Sequence, residues 1–585
     1  MKKSIFFTLL TLAAITSLTG CNTGSNTNAK PASSQVTDSA TSKSAVDQTV
    51  SDADLKKQEL EKKAKEREIL EAERKKTYGD FYVPLPPIDA NIEKRTVEAK
   101  GLYITGSVAG FKIDEKLVDA YASYVKALEK NDSAGKNKYS YAVEQTNKLE
   151  KAIGLAIATE VNSFVIDVKN DDGIMTYKSS VAITDTVGSN KRNSIQDVDR
   201  LLEVLKKNDI YAIARVVAFK DPLFANAQPK HAMQLKTGGV WKDNKGTSWV
   251  NQFDKYVWDY NIAIAKEAAL KGFDEVQFDY VRFPDNAKAY NPVVEFPGRE
   301  GRDKDEAIED FLKYAQKELE PYGVHVAADV FGVITKSWDD KPEDIGQTWR
   351  KVANQTDYIC PMVYPSHYGT NWYGFAVPDA HPFGVLEGSM KEAIERNAAQ
   401  KKPALIRPWI QGFTASWIKG HINYTPQAIQ DQILACEKYG IREYLIWDAG
   451  NTYDPLVFFY NNRRETRSLA ANEDLLGRTP RAVVEAYLNA EKNKRLIPLY
   501  LLTAIESRDE DYDKFAVEHP KKAIAITKYT VGKETKTDKG YQVSVTYSYK
   551  EAAKNAEGKS EESVKTVENE NWTVIKENNV WKVKK

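Results

Sequence analysis

The sequence is poor in cysteine and histidine, and this scarcity argues against two classes of site. Among 585 residues there are three cysteines, at positions 21, 360 and 436, and six histidines. The cysteines form no CxxC pair and no ladder of spacings, as a disulfide scaffold or a cysteine-rich zinc site would require. The histidines are dispersed, whereas a metal-dependent deacetylase needs clustered His and Asp. We therefore predict neither a metal nor a cofactor.

Net charge and several common catalytic motifs are also lacking. Lys plus Arg and Asp plus Glu both total 83, so no basic excess points to nucleic acid. GxSxG, HExxH and P-loop motifs are absent from the chain, which argues against serine esterases, zinc proteases and P-loop nucleotide enzymes. Electrostatics alone identifies no ligand, and the oligomeric state stays open.

The first 21 residues resemble an export signal. Lys2 and Lys3 precede a largely apolar run, and the run ends in Leu18-Thr19-Gly20-Cys21, which resembles the lipobox of bacterial lipoproteins. Residues 1–21 are then a signal peptide with a lipidated Cys21, which would anchor the protein to the extracytoplasmic face of the cell membrane. The alternative is an ordinary secretory signal with an incidental cysteine.

Two segments separate this signal from the first folded domain. Residues 22–52 are rich in Ser, Thr, Ala and Asn and predict a disordered tether. Residues 53–96 comprise a charged helix and a proline-rich linker. The helix has little apolar face, which favours a solvated spacer over a coiled-coil partner site.

The region 97–465 alternates short apolar strands with helical segments. Eight strands are predicted, beginning at Gly101, Ser163, Ile210, Phe273, Val324, Tyr358, Ala404 and Glu443. Eight β-then-α repeats are typical of a (β/α)₈ TIM barrel of the α/β class with inserted loops. A doubly wound open sheet is the alternative, but residues 105–110 match its Gly-rich phosphate loop only loosely.

Residues 478–585 have a different texture. An amphipathic helix starts at Thr479-Pro480, and alternating strands follow it to the C-terminus. This pattern resembles the small α+β fold of the nuclear-transport-factor-2-like superfamily, whose members more often bind or dimerise than catalyse.

Polar residues in the inward register converge on the C-terminal ends of the barrel strands, where TIM-barrel sites lie. Unpaired charges buried there would cost several kcal/mol, so a purely structural barrel would use Val, Ile and Leu instead. We expect the aspartates to pair with Lys169, Arg215 and Arg407, and such an ion-paired floor suits a neutral polyhydroxylated ligand. Five tryptophans in predicted loops add rings that could stack on sugars: Trp241, Trp249, Trp338, Trp372 and Trp417. The predicted substrate-binding residues are Asp167, Lys169, Arg215, Gln277, Arg282, Tyr364, His367, Arg407, Trp409, Gln411 and Asp448.

Two aspartates end neighbouring strands and form the predicted catalytic pair. Glycosidic cleavage needs two carboxyl groups, about 5 to 5.5 Å apart for retention of configuration and farther apart for inversion. Adjacent strands lie about 4.8 Å apart, so Asp279 as nucleophile and Asp329 as acid/base favour retention. Alternatives stay open: Asp279 could be a salt-bridge partner of Arg215 or Arg282, and Asp448 or Asp167 could supply the acid.

Several of these motifs together resemble a family of bacterial glycoside-hydrolase-like proteins with a TIM-barrel domain. The motifs are Gly101-Leu102-Tyr103-Ile104-Thr105, Phe164-Val165-Ile166-Asp167-Val168-Lys169, Gln277-Phe278-Asp279-Tyr280-Val281-Arg282-Phe283-Pro284, Asp329-Val330-Phe331-Gly332 and Pro361-Met362-Val363-Tyr364-Pro365. The resemblance implies a TIM barrel over about residues 97–465 and a glycoside hydrolase activity. By analogy with retaining α-glycosidase barrels, it places the nucleophile at Asp279.

The expected function is therefore hydrolysis or transfer of a glycosidic bond in an extracellular or envelope polysaccharide, by a lipid-anchored enzyme. One alternative is a barrel that binds glycan without cutting it, with the C-terminal domain as a docking module. Another is a structural envelope lipoprotein with a relic site, which the costly buried charges argue against.

Overall fold

The computed structural model describes residues 52–90, 92–336, 340–341, 344–459, 468–509, 511–554 and 560–585. The predicted signal peptide with Cys21, the tether up to residue 51 and the loop residue Trp338 lie outside these residues. No helix in the described ranges is both long and apolar enough to cross a membrane.

Eight parallel strands close into a barrel, which confirms the predicted fold class. They are β1 (Lys100–Ile104), β2 (Ser163–Lys169), β3 (Tyr211–Val217), β4 (Glu275–Asp279), β5 (His325–Phe331), β6 (Tyr358–Val363), β7 (Leu405–Ile406 and Trp409–Gln411) and β8 (Tyr444–Trp447). Each strand pairs in parallel with the next, and β8 pairs with β1 to close the ring. The C-terminal ends of the strands therefore meet at one mouth.

Helices lie between all consecutive strands of the barrel, and others precede β1 or follow β8. Within the described ranges they are α1 (Asp52–Tyr78), α2 (Gly106–Ala109), α3 (Glu115–Glu129), α4 (Ser133–Gln145), α5 (Lys148–Ala158), α6 (Ala182–Val187), α7 (Val198–Lys207), α8 (Pro222–Ala227), α9 (Lys255–Lys271), α10 (Ala287–Tyr290), α11 (Lys304–Leu319), α12 (Trp349–Ala353), α13 (Pro382–Ala398), α14 (Pro426–Glu437), α15 (Pro480–Lys492), α16 (Leu496–Leu502) and α17 (Tyr512–Lys522).

Local sequence signals position β4, the strand that carries Asp279. Helix α9 begins after Asp254, whose side chain accepts a hydrogen bond from the Tyr256 N–H. It ends at Gly272, which takes the left-handed conformation with φ of 110°. The strand β4 follows within three residues, and all five of its residues are buried.

The inside of the barrel has its own small core. Its buried members are Tyr103, Val165, Tyr211, Ile213, Ala327, Tyr358, Cys360, Tyr364, Trp409 and Leu445. A much larger apolar layer packs between the strands and the surrounding helices. Tyrosine and tryptophan thus take several interior places that Val, Ile and Leu commonly fill, and their polar atoms lie among the buried charges.

Residues 63–96 contact the barrel at several points. The Tyr78 hydroxyl donates to Glu318 on α11 over 2.8 Å. Further along, Lys94 pairs with Asp357 and Arg95 pairs with Asp274, both next to strand N-termini. This part of the predicted spacer is therefore attached to the barrel rather than only solvated.

The C-terminal region is a separate α+β layer docked on the barrel. Four antiparallel strands, β9 (Ala525–Thr537), β10 (Gly540–Lys554), β11 (Ser560–Glu577) and β12 (Val580–Lys584), pack on α15 to α17. Arg478 pairs with Glu395 of α13 over 2.6 Å, and Arg350 of α12 pairs with Asp513 of α17 over 3.0 Å. The predicted C-terminal α+β domain is confirmed and its sheet is antiparallel, while the nuclear-transport-factor-2-like relationship stays a prediction.

Candidate active site

A cavity of about 1050 Å³ opens at the C-terminal mouth of the barrel. Its lining includes six of the predicted site residues, Asp167, Arg215, Asp279, Arg282, Tyr364 and His367. The volume lies just above the range of roughly 300 to 1000 Å³ found for small-molecule pockets. The cavity therefore has room for more than a single small group.

The floor of the cavity is an ion-paired cluster on three consecutive strands. Arg215 on β3 donates to Oδ1 of Asp167 on β2 over 2.6 Å, and its Nε donates to Oδ2 of Asp279 on β4 over 3.0 Å. Burial would lower the pKa of Arg215, but the charges of Asp279 and Asp167 raise it well above its usual value. We call this cluster the Asp167–Arg215–Asp279 triad. The triad holds two carboxylates at the mouth around one shared cation.

The chain turns sharply at Tyr280, directly after Asp279. Tyr280 has φ of 48°, a left-handed conformation that is strained for an aromatic residue. This turn brings the Tyr280 N–H to Oδ1 of Asp279 at 2.6 Å. Both oxygens of Asp279 thus accept hydrogen bonds, one from Arg215 and one from the backbone.

Asp329 on β5 lies deeper and does not line the cavity. Its side chain is 1% exposed, and its Oδ1 accepts hydrogen bonds from Gln277 on β4 and, over 2.6 Å, from the Trp409 indole on β7. Burial, followed by the charge of Asp279, raises the pKa of Asp329 well above its usual value, although both hydrogen bonds act in the opposite direction. Asp329 is therefore a buried carboxyl that favours its protonated form.

Aromatic rings form much of the cavity wall. Tyr103 and Trp447 stack with ring centres 4.0 Å apart, and the Arg215 guanidinium lies 5.5 Å from the Trp447 ring centre. The Tyr103 hydroxyl donates to Asp167 over 2.7 Å. Burial and the charges of Asp329 and Asp279 raise the pKa of Tyr364 well above its usual value, so this tyrosine stays neutral near both carboxyls.

Arg282 sits in an aromatic frame at the edge of the cavity. Its guanidinium lies 4.4 Å from the ring centre of Phe331 and 4.9 Å from that of Tyr280. It pairs with the exposed Asp285 rather than with Asp279. Of the two arginines proposed as salt-bridge partners for Asp279, the structure shows Arg215 in that place.

Two of the predicted binding residues are buried beneath the cavity rather than in its lining. Gln277 and Trp409 both point into the barrel and contact Asp329. They hold the Asp329 carboxyl in place, so the contacts that the structure shows for them are with the protein itself.

Lys169 and Arg407 lie away from the cavity. The pairing of β2 with β3 shifts between Asp167 and Lys169, so Lys169 leaves the inward register. Its amine pairs with the buried Asp221 over 2.8 Å. Arg407 pairs with Glu275, the first residue of β4, and therefore lies at the opposite end of the barrel.

Gln411 and Asp448 organise loops rather than line the cavity. Gln411 accepts a hydrogen bond from the Ser366 N–H and donates to Asp379. Asp448 accepts hydrogen bonds from the backbone N–H groups of Gly450 and Thr452. On β8 it is Trp447, one residue earlier, that lines the cavity.

Several lining residues were not among the predicted binding residues. They include Tyr103, Asp171, Tyr280, Phe331, Phe413 and Trp447. Trp372, one of the loop tryptophans predicted to stack on sugars, also lines the cavity. Tyr103 follows the inward register of β1, which could have revealed it, whereas the loop residues carry no periodic signal. In the ranges that the structure describes, no group of three or more His, Cys, Asp or Glu side chains is arranged to hold a metal ion.

Comparison with known families identifies the barrel. The family described as "Putative glycosyl hydrolase domain" matches residues 139–453, which is more than half of the chain. The chain belongs to this glycosyl hydrolase family. The match covers β2 to β8 with their loops, and it confirms the resemblance and the enzyme class predicted from the sequence. No curated protein matches the chain.

Solved structures give weaker likenesses. A hypothetical protein from Ruminiclostridium thermocellum is 34% identical, with 39% of this chain and 97% of that one covered and a TM-score of 0.29. The glycoside hydrolase domain of PgaB (BpsB) from Bordetella bronchiseptica is 12% identical, with coverage of 60% and 94% and a TM-score of 0.38. The spore cortex-lytic enzyme SleL of Bacillus megaterium is 13% identical, with coverage of 66% and 77% and a TM-score of 0.35. The assignment to the family therefore rests on the sequence match.

Proposed function

We propose that this glycosyl hydrolase cleaves or transfers a glycosidic bond in an extracellular or cell-envelope polysaccharide, with retention of configuration. Asp279 is the nucleophile and Asp329 is the acid/base. One observation carries the proposal: two carboxyls on adjacent strands have contrasting environments, Asp279 paired with Arg215 at the cavity floor and Asp329 buried with a raised pKa. Such a contrast is how one site holds a carboxylate and a protonated acid together.

Each residue has a defined part in this proposal. Oδ1 or Oδ2 of Asp279 attacks the anomeric carbon, and the bond to the leaving oxygen breaks as that oxygen takes a proton originating on Asp329. Water then attacks the anomeric carbon, the bond from that carbon to Asp279 breaks, and the proton that the water loses passes to Asp329, so both carboxyls return to their starting forms. Attack requires one oxygen of Asp279 to exchange its hydrogen bond from Tyr280 or Arg215 for the sugar. Tyr364 lies near both carboxyls and lines the cavity.

The test is turnover of envelope polysaccharides by three proteins: the wild type, Asp279→Asn and the matched surface control Asp119→Asn on α3. Loss of the nucleophile is expected to reduce turnover by about 10⁴-fold or more, and the control should match the wild type. The anomer first released, read by NMR, reports retention. Equal turnover by Asp279→Asn would reject this nucleophile, and inverted product would reject the double displacement.

The pH profile tests the acid. Because burial and Asp279 raise the pKa of Asp329, its proton is retained to higher pH than that of an ordinary aspartate. Turnover should therefore fall as pH rises through this raised pKa. The Asp329→Asn variant should remove this alkaline limb along with most of the activity, while an unchanged limb would assign the acid elsewhere.

A second candidate function, glycan binding without cleavage, has its own support. Both oxygens of Asp279 are engaged by the protein, and Asp329 does not line the cavity. Under this alternative the wild type binds glycan with no turnover, and Asp279→Asn retains binding.

We also propose that Cys21 carries the lipid that anchors the enzyme outside the membrane, on the basis of its lipobox-like sequence. Labelled palmitate should enter the wild type and not Cys21→Ser. Equal labelling of the two proteins would reject the anchor.

A further inference from the structure

Trp417, in the loop after β7, exposes an aromatic ring beside the cavity. Its exposed fraction is 69%, whereas the other tryptophans in the described part of the chain are buried or partly buried. Burying a large apolar side chain stabilises a fold, and this ring forgoes most of that gain. A single exposed apolar residue needs no explanation, so the argument depends on what surrounds this ring.

The Trp417 ring continues a row of rings that begins inside the cavity. Trp417 stacks on Phe413 with ring centres 6.0 Å apart and planes 19° apart. Phe413 lines the cavity and meets Tyr364 edge to face at 6.2 Å. We call Phe413 and Trp417 the aromatic platform. It extends the cavity wall outward from Tyr364, which lies near the carboxyls of Asp279 and Asp329.

The loop that carries the platform is held in place. Ala415, between the two rings, is fully buried. The Phe413 carbonyl accepts a hydrogen bond from Gln411 over 3.0 Å, and the Thr414 hydroxyl accepts one from the Tyr424 N–H over 3.0 Å. The platform is therefore pre-organised, which reduces the entropy lost when a ligand binds to it.

The charges around the cavity indicate a neutral ligand. Its lining contributes four carboxylates, from Asp167, Asp171, Asp279 and Asp285, and four cationic side chains, from Arg192, Arg215, Lys245 and Arg282. This balance gives no attraction to a polyanion or a polycation. A flat aromatic face beside a charge-balanced cavity suits a pyranose ring, whose C–H groups pack on the face while its hydroxyls stay in water.

We propose that the aromatic platform is a distal subsite for a sugar residue outside the cleavage position, so that the enzyme recognises neutral chains of several sugars rather than a single terminal residue. This inference rests on the carbohydrate substrate of the proposed function. The cavity of about 1050 Å³ holds the sugars next to Asp279, and the platform binds the chain where it leaves the mouth.

The test is affinity as a function of chain length. Two neutral ladders, β-1,4-linked glucose and β-1,4-linked N-acetylglucosamine, are titrated from disaccharide to hexasaccharide by calorimetry into the full chain. The wild type should bind the hexasaccharide of at least one ladder more tightly than the disaccharide. Trp417→Ala should reduce this gain by about two- to tenfold, the range of one aromatic contact. Trp417→Phe should keep most of the gain.

Tyr141→Ala is the matched control, since Tyr141 is an exposed aromatic residue on α4 that does not line the cavity. It should keep the full gain. Equal hexasaccharide affinity in Trp417→Ala and wild type, affinity that does not grow with length, or no binding of either ladder by the wild type would each overturn the subsite.

Mass spectrometry of the same samples reports cleavage separately. Length-dependent binding that needs Trp417, with uncleaved ladders, supports the subsite and counts against the proposed hydrolysis. Cleavage with no effect of Trp417 supports the hydrolysis and overturns the subsite.

Discussion

The indole N–H of Trp409 donates to Oδ1 of Asp329 over 2.6 Å and so joins β7 to β5 through the barrel interior. This bond holds the carboxyl in place, but it does not offset the effects of burial and of the Asp279 charge, which leave the pKa of Asp329 raised. The fold thus positions an acid group at a cost in stability once the pH is high enough to ionise the same group in the unfolded chain.

Asp329→Asn should therefore stabilise the protein at neutral pH. Between the ordinary pKa of an aspartate and the raised one, the unfolded chain holds fewer protons than the folded protein, so the free energy of unfolding falls as pH rises. One proton accounts for up to about 1.4 kcal/mol per pH unit. The variant cannot ionise and should lose this slope in urea unfolding across an acidic-to-neutral series. Asp119→Asn should keep the slope, and an Asp329→Asn variant less stable than wild type at neutral pH would contradict the argument.

Arg215→Lys tests the Asp167–Arg215–Asp279 triad. A lysine is a point charge and cannot serve both carboxylates with the fork that Arg215 uses, so one of them is left buried without a cationic partner. We expect a loss of about 3 to 5 kcal/mol in the free energy of unfolding, measured in urea. Arg442→Lys, at a 71% exposed side chain paired with Glu98 over 3.8 Å, should change it by less than about 1 kcal/mol. Similar effects at the two positions would show that the triad contributes little.

Tyr280 tests the strained turn after Asp279. At φ of 48°, a glycine is tolerated where a residue with a Cβ pays about 1 to 2 kcal/mol. Tyr280→Gly should therefore be more stable than Tyr280→Ala. The order should reverse at Tyr314 inside α11, where alanine is favoured over glycine by about 1 kcal/mol. Thermal unfolding of the four variants checks this, and the same order at both positions would refute the strain.

Lys582 on β12 gives a pH signature in the C-terminal layer. Burial lowers its pKa to about 7, with Glu395 acting in the opposite direction and Arg478 and Arg508 acting with burial. Between about 7 and the ordinary lysine value of about 10.4, the unfolded chain holds more protons, so stability rises with pH. Lys582→Met should thus stabilise the protein more at slightly acidic than at alkaline pH in thermal melts. Lys584→Met, at an exposed neighbour, should show no such difference, and a pH-independent effect at Lys582 would reject the burial argument.

The barrel was predictable because each strand has a signal in its own local sequence. A short apolar run marks each of the eight strands, and before several of them a glycine ends the preceding helix, as Gly272 does before β4. The residues of the triad were predicted from the two-residue periodicity of these strands, because Asp167, Arg215 and Asp279 all keep the inward register at the C-terminal ends of their strands.

The period fails where the backbone departs from a regular strand or where depth along the barrel matters. The shift after Asp167 turns Lys169 toward Asp221, and the end of β8 at Trp447 lets Asp448 cap its own loop. The register of a strand shows which face a side chain lies on, but not how far along the barrel axis it lies. The sequence pattern therefore did not distinguish Arg407 at the far end, or Asp329 beneath the cavity, from Asp279 at the cavity floor. Rings such as Phe413 lie on loops, where tertiary contacts alone decide their place.

The ion pair between Arg478 and Glu395 bears on how the protein can be divided in practice. A barrel expressed without residues 468–585 would present Glu395 without its arginine and would also expose the patch around Ala399 that accepts the Arg508 side chain. We expect such a truncated barrel to aggregate and to be less soluble. Its low solubility would then be mistaken for a defect of the catalytic domain. The two layers therefore belong in one expression unit whenever activity is assayed.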